Sequence, residues 1–383
     1  MPDSPLIIDD DDRYSRFRLI AWWDQDKLRQ AKVLVVGAGA LGNEVLKNLA
    51  LLGVGNVYVI DMDHIESSNL TRSVLFRASD RGQPKAKAAA NALDGMNPDT
   101  NVIPIVGNVL TDLGLGLFRD VDVVIGCLDN REARLWVNRC CWKVGTPWID
   151  GGIQEISGVT KVFVPPGDAC YECAMTEMDY RLINLRYSCP LLRQEDLLAG
   201  KVPTAPTISS MIGGLQTQEA LKLLHGMPVD AGSAMIYNGL SNQFYQTQFQ
   251  RREDCLSHET YDETTSLQVN NAQTADDLFA AASKLESVNG EELTLVLDRD
   301  LVVSLDCAKC DDSRPILKPL PLVGMQQAQC PNCKETTRPN IVHRITPDSE
   351  LSGNALSELG IPNQDIIKLQ AGSSEHYLEL QKT

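Results

Sequence analysis

The chain has 383 residues, 43% of them hydrophobic, and a formal net charge of −16 at pH 7. That length accommodates one large core and a smaller domain, and the acidic balance argues against a general affinity for nucleic acid or anionic membrane. No apolar run approaches the ~18 residues of a membrane span, and eleven cysteines without a signal peptide's basic start point to metal or catalysis in a reducing, cytoplasmic compartment rather than to disulfides.

In chain order, the Asp9–Asp12 run reads as a solvated arm. "AKVLVVGAGALGNEVLKNLALLGVGNVYVIDMD" (31–63) then reads as a βαβ unit. The run Val33–Val36 enters a glycine turn; Leu41, Val45, Leu46, Leu49 and Leu52 mark a helix that Gly53 and Gly55 end; Val57–Ile60 is the second strand. "NVIPIVG", "VDVVIGCLDN" and "TPWIDGG" add strands, alternating with helices around 83–96 and 131–144. The pattern predicts an α/β, Rossmann-like, doubly wound, mostly parallel sheet. After Gly152, "GVTKVFVPPG" and "SAMIYNGLSNQFYQTQFQ" predict antiparallel strands extending it, around a long helix ending at Gly226. Residues 259–277 are polar and turn-rich and read as a linker. The expected organisation is therefore a domain over 1–258 with a crossover segment at about 174–205, a linker over 259–277, and a small α+β domain with a zinc ribbon over 278–383.

Gly37, Gly39 and Gly42 form G-x-G-x-x-G between a strand and a helix. The first permits a tight turn, the second lets backbone approach a nucleotide, and the third lets helix pack on strand. Asp61 ends the next strand, placed for ribose hydroxyls. These residues suit NAD as well as ATP. Asn69, Arg72 and Lys85 favour ATP: a dehydrogenase needs no such donors on this connection, whereas a triphosphate enzyme must neutralise departing pyrophosphate. Asp129 ends a later strand at the same edge, where a carboxylate suits Mg²⁺; the alternative makes Asp129 and Asn130 a helix N-cap.

The cysteines divide into groups. "CYEC" (Cys170, Cys173) and "CLSH" (Cys255, His258) together supply three thiolates and an imidazole, enough for a tetrahedral zinc site; the alternative is reduced cysteines near a surface loop. Cys307, Cys310, Cys330 and Cys333 are two C-x-x-C pairs nineteen residues apart, the spacing of a zinc ribbon. Cys189 lies alone in a segment without strong periodicity, near Arg186 and Arg193, where a thiol pKa can fall. Cys127, Cys140 and Cys141 fall on a predicted buried strand and helix, as small apolar residues.

Residues 13–258 resemble the adenylating domain of ubiquitin-like-protein activating enzymes, a superfamily that includes the bacterial adenylyltransferases of thiamine and molybdopterin synthesis. The phrases "NLALLGVGNVYVIDMDHIESSNLTRSVLF", "GQPKAKAAA", "NP" (97–98) and "CLDNREAR" carry the likeness. The resemblance implies that Asp61 holds ribose; that Asn69, Arg72 and Lys85, flanked by Asp63 and Ser68, grip the phosphates; and that Asp129 binds Mg²⁺. It implies that Arg16 reaches the γ-phosphate from the opposite subunit of a homodimer, that zinc sits at the first cysteine group, and that Cys189 takes an acyl group as a thioester. Ala40, Ser73, Pro190 and His258 stand where the family usually has Gly, Gln, Thr and a further cysteine pair. The implied activity is adenylation of the C-terminal carboxylate of a β-grasp, ubiquitin-like protein, followed by thioester formation and transfer to a conjugating enzyme. The alternatives are a sulfur-carrier adenylyltransferase that stops at the adenylate, and an NAD-binding regulatory module with zinc.

Overall fold

The run Lys32–Val36 has four consecutive buried side chains, so it can only be an interior strand. In the computed structural model, which describes residues 12–188, 203–288 and 291–382, this is β1, in the interior of an eight-stranded sheet. The other strands are β2 (Asn56–Asp61), β3 (Asn101–Val106), β4 (Val123–Gly126), β5 (Trp148–Gln154), β6 (Ser157–Phe163), β7 (Ser233–Asn238) and β8 (Gln243–Gln248). Their order is β3-β2-β1-β4-β5-β6-β7-β8. The first five are mutually parallel and the last three add antiparallel. The winding direction reverses between β1 and β4, which opens a crevice at the carboxyl ends of the strands. This is the α/β architecture that the alternation of apolar runs implies.

The helices are α1 (Gln25–Gln30), α2 (Ala40–Leu52), α3 (Lys85–Asp94), α4 (Leu115–Asp120), α5 (Arg131–Val144), α6 (Glu177–Ser188) and α7 (Pro206–His225). Leu41, Val45, Leu46 and Leu49 form the buried stripe of α2, which ends on Gly53 in the left-handed region. One face of the sheet is covered by α2, α3 and α7, with Val35, Val45, Leu46, Val59, Ala89 and Ala220 in one cluster. The opposite face holds Phe118, Val137, Trp142, Trp148 and Phe163 beneath α4 and α5.

A second sheet follows, built from β9 (Thr264–Leu267), β10 (Leu293–Cys307), β11 (Asp312–Pro319), β12 (Arg338–Ile345), β13 (Ile366–Ala371) and β14 (Ser374–Leu380), with α8 (Ala275–Ala282) packed on it. The order is β11-β10-β13-β14-β9, with β12 also on β10.

Residues 259–277 depart from the expectation of a linker. Thr264–Leu267 pairs in parallel with β14, Leu267 and Val269 enter the core, and Thr274 opens α8 with a capping box to Asp277. An edge strand of four residues with polar side chains outward shows too little alternation to be recognised in sequence.

The two sheets are docked by ion pairs. Arg299 and Asp365 are both buried and 2.9 Å apart. Arg299 also donates to the carbonyls of Leu110 and Leu113, and Asp365 accepts from the Leu115 amide at 2.7 Å. Arg119 pairs with Glu379 and Lys143 with Asp298, while the rings of Tyr261 and Tyr377 stack at 3.9 Å.

Candidate functional site

The crevice at the strand ends is a cleft of about 1990 Å³. Its floor is the turn between β1 and α2, where three glycines meet three different environments. Gly37 has φ +100°, and a Cβ there would lie 2.5 Å from the Cys127 carbonyl oxygen. A Cβ on Gly42 would lie 2.0 Å from the Gly37 carbonyl oxygen, so this glycine is the close contact of helix with turn. A Cβ on Gly39 would meet no protein atom within 4 Å, and Gly39 faces the cleft. Two glycines thus serve packing, and the third keeps open space where the N-terminus of α2 presents its free amides.

Asn43, which belongs to none of the sequence motifs, ties this floor to its surroundings. Wholly buried, it donates to the carbonyls of Ala38 and Gly39 and accepts from the Leu75 amide at 2.9 Å. The glycine turn and the 67–76 stretch are therefore braced by one side chain. A polar residue on an otherwise apolar helix face was its only signal.

Asp61, at the end of β2, accepts from the amides of Ala38 at 2.7 Å and Asp63 at 2.8 Å. Burial raises its carboxyl pKa, opposed by the charge of Lys85 and those two amides. Lys85 opens α3 and pairs with Asp63 at 2.8 Å. Arg72 ends the short 3₁₀ turn Ser67–Thr71 and donates to the Ser68 carbonyl at 3.1 Å. The side-chain oxygen of Asn69 accepts from the Glu66 amide, and the Ser68 hydroxyl donates to Glu66. Asp61, Asp63, Ser68, Asn69, Arg72, Lys85 and Asp129 all line the one cleft.

Asn130 and Asp129 separate in role. The Asn130 side chain accepts from the Ala133 amide and caps α5. Asp129 is exposed, and among the described residues its side chain accepts one hydrogen bond, from the Asn130 side-chain amide at 3.3 Å. A carboxylate not committed to the cap, at a strand end in this cleft, is chemically suited to a hard dication.

Arg134 sets the backbone there: it donates to the carbonyls of Leu128 and Gly151 and to Asp150 at 2.8 Å. Asp150 is wholly buried and also accepts from Lys161 at 3.0 Å.

Cys127 corrects an expectation. It lies one residue past β4 in the cleft wall rather than within a strand, and burial pushes its thiol pKa well up, away from a nucleophile. Cys140 and Cys141 are buried on α5 as expected. Arg16 is exposed and lies outside the cleft lining of its own chain. Cys189 lies outside the described residues.

Cys170, Cys173, Cys255 and His258 converge, with Cys170 Sγ 3.7 Å from Cys173 Sγ and 3.5 Å from Cys255 Sγ, and Cys173 Sγ 3.4 Å from His258 Nε2. Those separations suit the edges of a zinc tetrahedron, about 3.7 Å for sulfur ligands. Burial lowers the His258 pKa, favouring the neutral imidazole that ligates, and Trp142 stacks on its ring at 4.9 Å. Glu172, inside the C-x-x-C, is buried and accepts from Arg139, Tyr180 and Ser257. Although burial opposes it, the bonds from Arg139 and Ser257 hold that carboxyl below its usual range. It straps the first ligand pair to the second.

Cys307, Cys310, Cys330 and Cys333 also converge, with Cys307 and Cys333 3.5 Å apart and Cys310 and Cys330 3.9 Å apart. Asp311 and Lys334, each just after the second cysteine of a pair, have φ of 51° and 62°. The backbone amides of Cys333 and Asn332 bond Cys330 and bring its thiol down to about 7. Four converging thiols, with amides turned onto sulfur in the second knuckle, are a donor set that suits a structural zinc.

A mostly parallel sheet with a glycine turn, an acid at the end of β2, cations opposite and a cysteine cluster bracketing its second half define a nucleotide-handling α/β protein with two side-chain groups suited to a metal ion. The chain belongs to the ThiF family, which matches residues 12–257. It is 32% identical over 255 residues, 64% of this chain and 87% of the other, to the SAMP-activating enzyme E1 of Haloferax volcanii. It is 30% identical over 249 residues, 63% of this chain and 94% of the other, to the molybdopterin-synthase adenylyltransferase of Escherichia coli. The fold is shared with the crystal structure of E. coli MccB with ATP, at a TM-score of 0.55 and 24% identity, over 67% of this chain and 77% of that one. No helix among the described residues is long and apolar enough to cross a membrane.

Proposed function

We propose that this protein activates the C-terminal carboxylate of a ubiquitin-like or sulfur-carrier protein of the β-grasp class by adenylation with ATP. The observation that carries the reading is the open face of Gly39 in the same cleft as Arg72, Lys85 and Asp61. Relatives named as adenylyltransferases and as an activating enzyme support it. A carrier carboxylate oxygen bonds to the α-phosphorus of ATP, and the bond from that phosphorus to the bridging oxygen breaks, releasing pyrophosphate. Asp61 receives the ribose hydroxyls. The α2 N-terminus meets the phosphates, and Arg72 and Lys85, with Asn69 and Ser68 beside them, balance charge as pyrophosphate leaves. Asp129 would hold Mg²⁺, with Asp63 nearby; the ion supplies charge neutralisation on the phosphate oxygens. Arg16, outside its own cleft, would serve the partner site in a homodimer. The two cysteine groups would hold Zn²⁺ as structural ions.

The reading extends to Cys189. Its thiolate attacks the acyl carbon of the adenylate, the carbon–oxygen bond to AMP breaks, and the acyl group is held as a thioester for a conjugating enzyme. The test is ATP–pyrophosphate exchange against a panel of β-grasp proteins, with and without Cys189→Ala. Exchange that survives the substitution, with loss of a reductant-sensitive carrier adduct, is the expected result. Brisk exchange with no adduct in the wild type would leave a sulfur-carrier adenylyltransferase. No exchange with any carrier, together with tight NAD binding, would overturn the reading in favour of a regulatory module.

A further inference from the structure

The cleft is larger than its nucleotide requires. Ligand pockets for small molecules run to about 300–1,000 Å³, and this one holds about 1990 Å³. The excess has walls from two sources: the antiparallel end of the first sheet, and the second sheet. From the latter, Leu320, Pro321, Val323, Met325, Thr336 and Arg338 line the same cleft as Gly39 and Arg72. They come from the connection between β11 and β12, which carries the knuckle Cys330–Cys333, and from the start of β12.

The chemistry of this wall differs from that of the floor. Four of the six side chains are apolar, and Met325 is 45% exposed. Arg338 is exposed, and no hydrogen bond or ion pair is found for its side chain among the described residues. There is no cluster of donors here such as a phosphate would need. An apolar shelf with one uncommitted guanidinium suits an extended peptide, whose side chains lie on the shelf and whose carbonyls or an acidic side chain meet the arginine. The shelf is also fixed. The buried Arg299–Asp365 pair and the bonds of each to the 110–115 segment join the second sheet to the first, and the knuckle anchors the connection itself.

We infer that the ribbon connection forms the outer wall of the adenylation cleft and binds the C-terminal tail of the carrier protein. This rests on the adenylation reading above. A carboxylate delivered to the α-phosphate beside Gly39 must trail its preceding residues out along the cleft. The ribbon is thereby a specificity element for the tail, with Arg338 a binding residue and Met325 part of the shelf.

The experiment uses the full zinc-loaded chain and the β-grasp protein that supports pyrophosphate exchange in the panel. Met325→Glu and Arg338→Glu are compared with wild type for the KM of carrier, the KM of ATP, the affinity for ATP alone, and zinc content. The expected result is a carrier KM raised tenfold or more in each, with ATP affinity and zinc content unchanged. An unchanged carrier KM overturns the inference while the exchange itself upholds adenylation. Weakened affinity for ATP alone, with carrier KM unmoved, also overturns it, since the wall would then serve the nucleotide. Absence of exchange with every panel member in the wild type overturns adenylation, and the inference with it. Arg338→Lys should restore most of the carrier affinity if charge is what the tail meets.

Discussion

Gly39 and Gly42 differ by three positions and have opposite environments, so one methyl added at each separates function from fold. At Gly42 the new carbon would stand 2.0 Å from a backbone oxygen of Gly37. That neighbour cannot rotate aside, and overpacking of this kind costs ~1–3 kcal/mol. Alanine's better helix propensity returns about 1 kcal/mol at most. The net loss is on the order of 1–2 kcal/mol, and each kcal/mol lowers Tm by roughly 2–4 °C in a domain of this size. At Gly39 the carbon meets no protein atom within 4 Å. Its φ of −73° and ψ of −158° are open to any residue, and the N-cap preference for glycine over alanine is worth about 0.5 kcal/mol. Gly39→Ala should therefore melt within about two degrees of wild type.

The methyl at Gly39 does occupy the space over the α2 amides where phosphate would approach. A misplacement of about 1 Å there is enough to cost roughly 100-fold in rate. Thermal melting paired with ATP titration and pyrophosphate exchange reads both effects. The reasoning fails if Gly39→Ala binds ATP and exchanges pyrophosphate like wild type, because then nothing comes close to that face.

Arg72→Ala and Lys85→Ala should each cut exchange by about two orders of magnitude, the loss typical of a preorganised donor, with unchanged melting; near-normal exchange in both would refute the phosphate assignment. Elemental analysis should find two zinc ions per chain, and Cys330→Ser should lose one of them and loosen only the second sheet; a single ion in the wild type would remove the Cys170, Cys173, Cys255, His258 site. Asp61→Asn should weaken ATP binding, and its single side-chain oxygen can accept from only one of the two amides that Asp61 holds. The Asp61 pKa is raised by burial, so its ionised form is the costly one in the fold; that cost is present above the folded pKa and disappears as pH falls through it. Acidification towards about pH 4 should therefore stabilise the wild type relative to the variant; a relative loss on acidification would contradict the burial argument.

The parallel sheet was legible because its strands are buried on both faces and read as unbroken apolar runs between glycine and acid. The cleft residues were legible because glycine and charge are unexpected at the end of such runs. What stayed hidden had no local signature. Thr264–Leu267 is a strand only because β14 offers it an edge. Asn43 matters through the amide of Leu75 and Arg134 through the carbonyl of Gly151, partners too far along the chain for spacing to show. Glu172 could have been suspected, since an acid between two ligand cysteines needs partners once buried. In sequence Cys127 reads as a core residue, because a strand's last turn outward, one residue past β4, is finer than a periodicity argument resolves.

Cations in this cleft are of two kinds, and the difference yields a last prediction. In a chain of net charge −16, most of them already face acids. Arg134 and Lys161 share Asp150, whose side chain has no exposure at all. Removing either cation leaves a buried carboxylate short of a partner, a loss of about 3–5 kcal/mol where one member of a buried pair is deleted. Neither is free to follow a phosphate. Lys85 is paired too, but its partner Asp63 is 57% exposed. Such a pair contributes at most about 1 kcal/mol, and water can take over Asp63 when Lys85 turns to an anion. Among the described residues, Arg72 is held only by a carbonyl. On the proposed reading the exchangeable pair and the carbonyl-held arginine would be the working charges, and the pairs on Asp150 the frame. Arg134→Ala should accordingly lower Tm by several degrees, and Asp150→Asn made in the same chain should recover part of that loss. Lys85→Ala should leave Tm where it was and cut exchange by about the two orders of magnitude given above. If Arg134→Ala folds as stably as wild type and merely loses ATP affinity, Arg134 is itself a phosphate ligand and the division between frame and working charge is wrong.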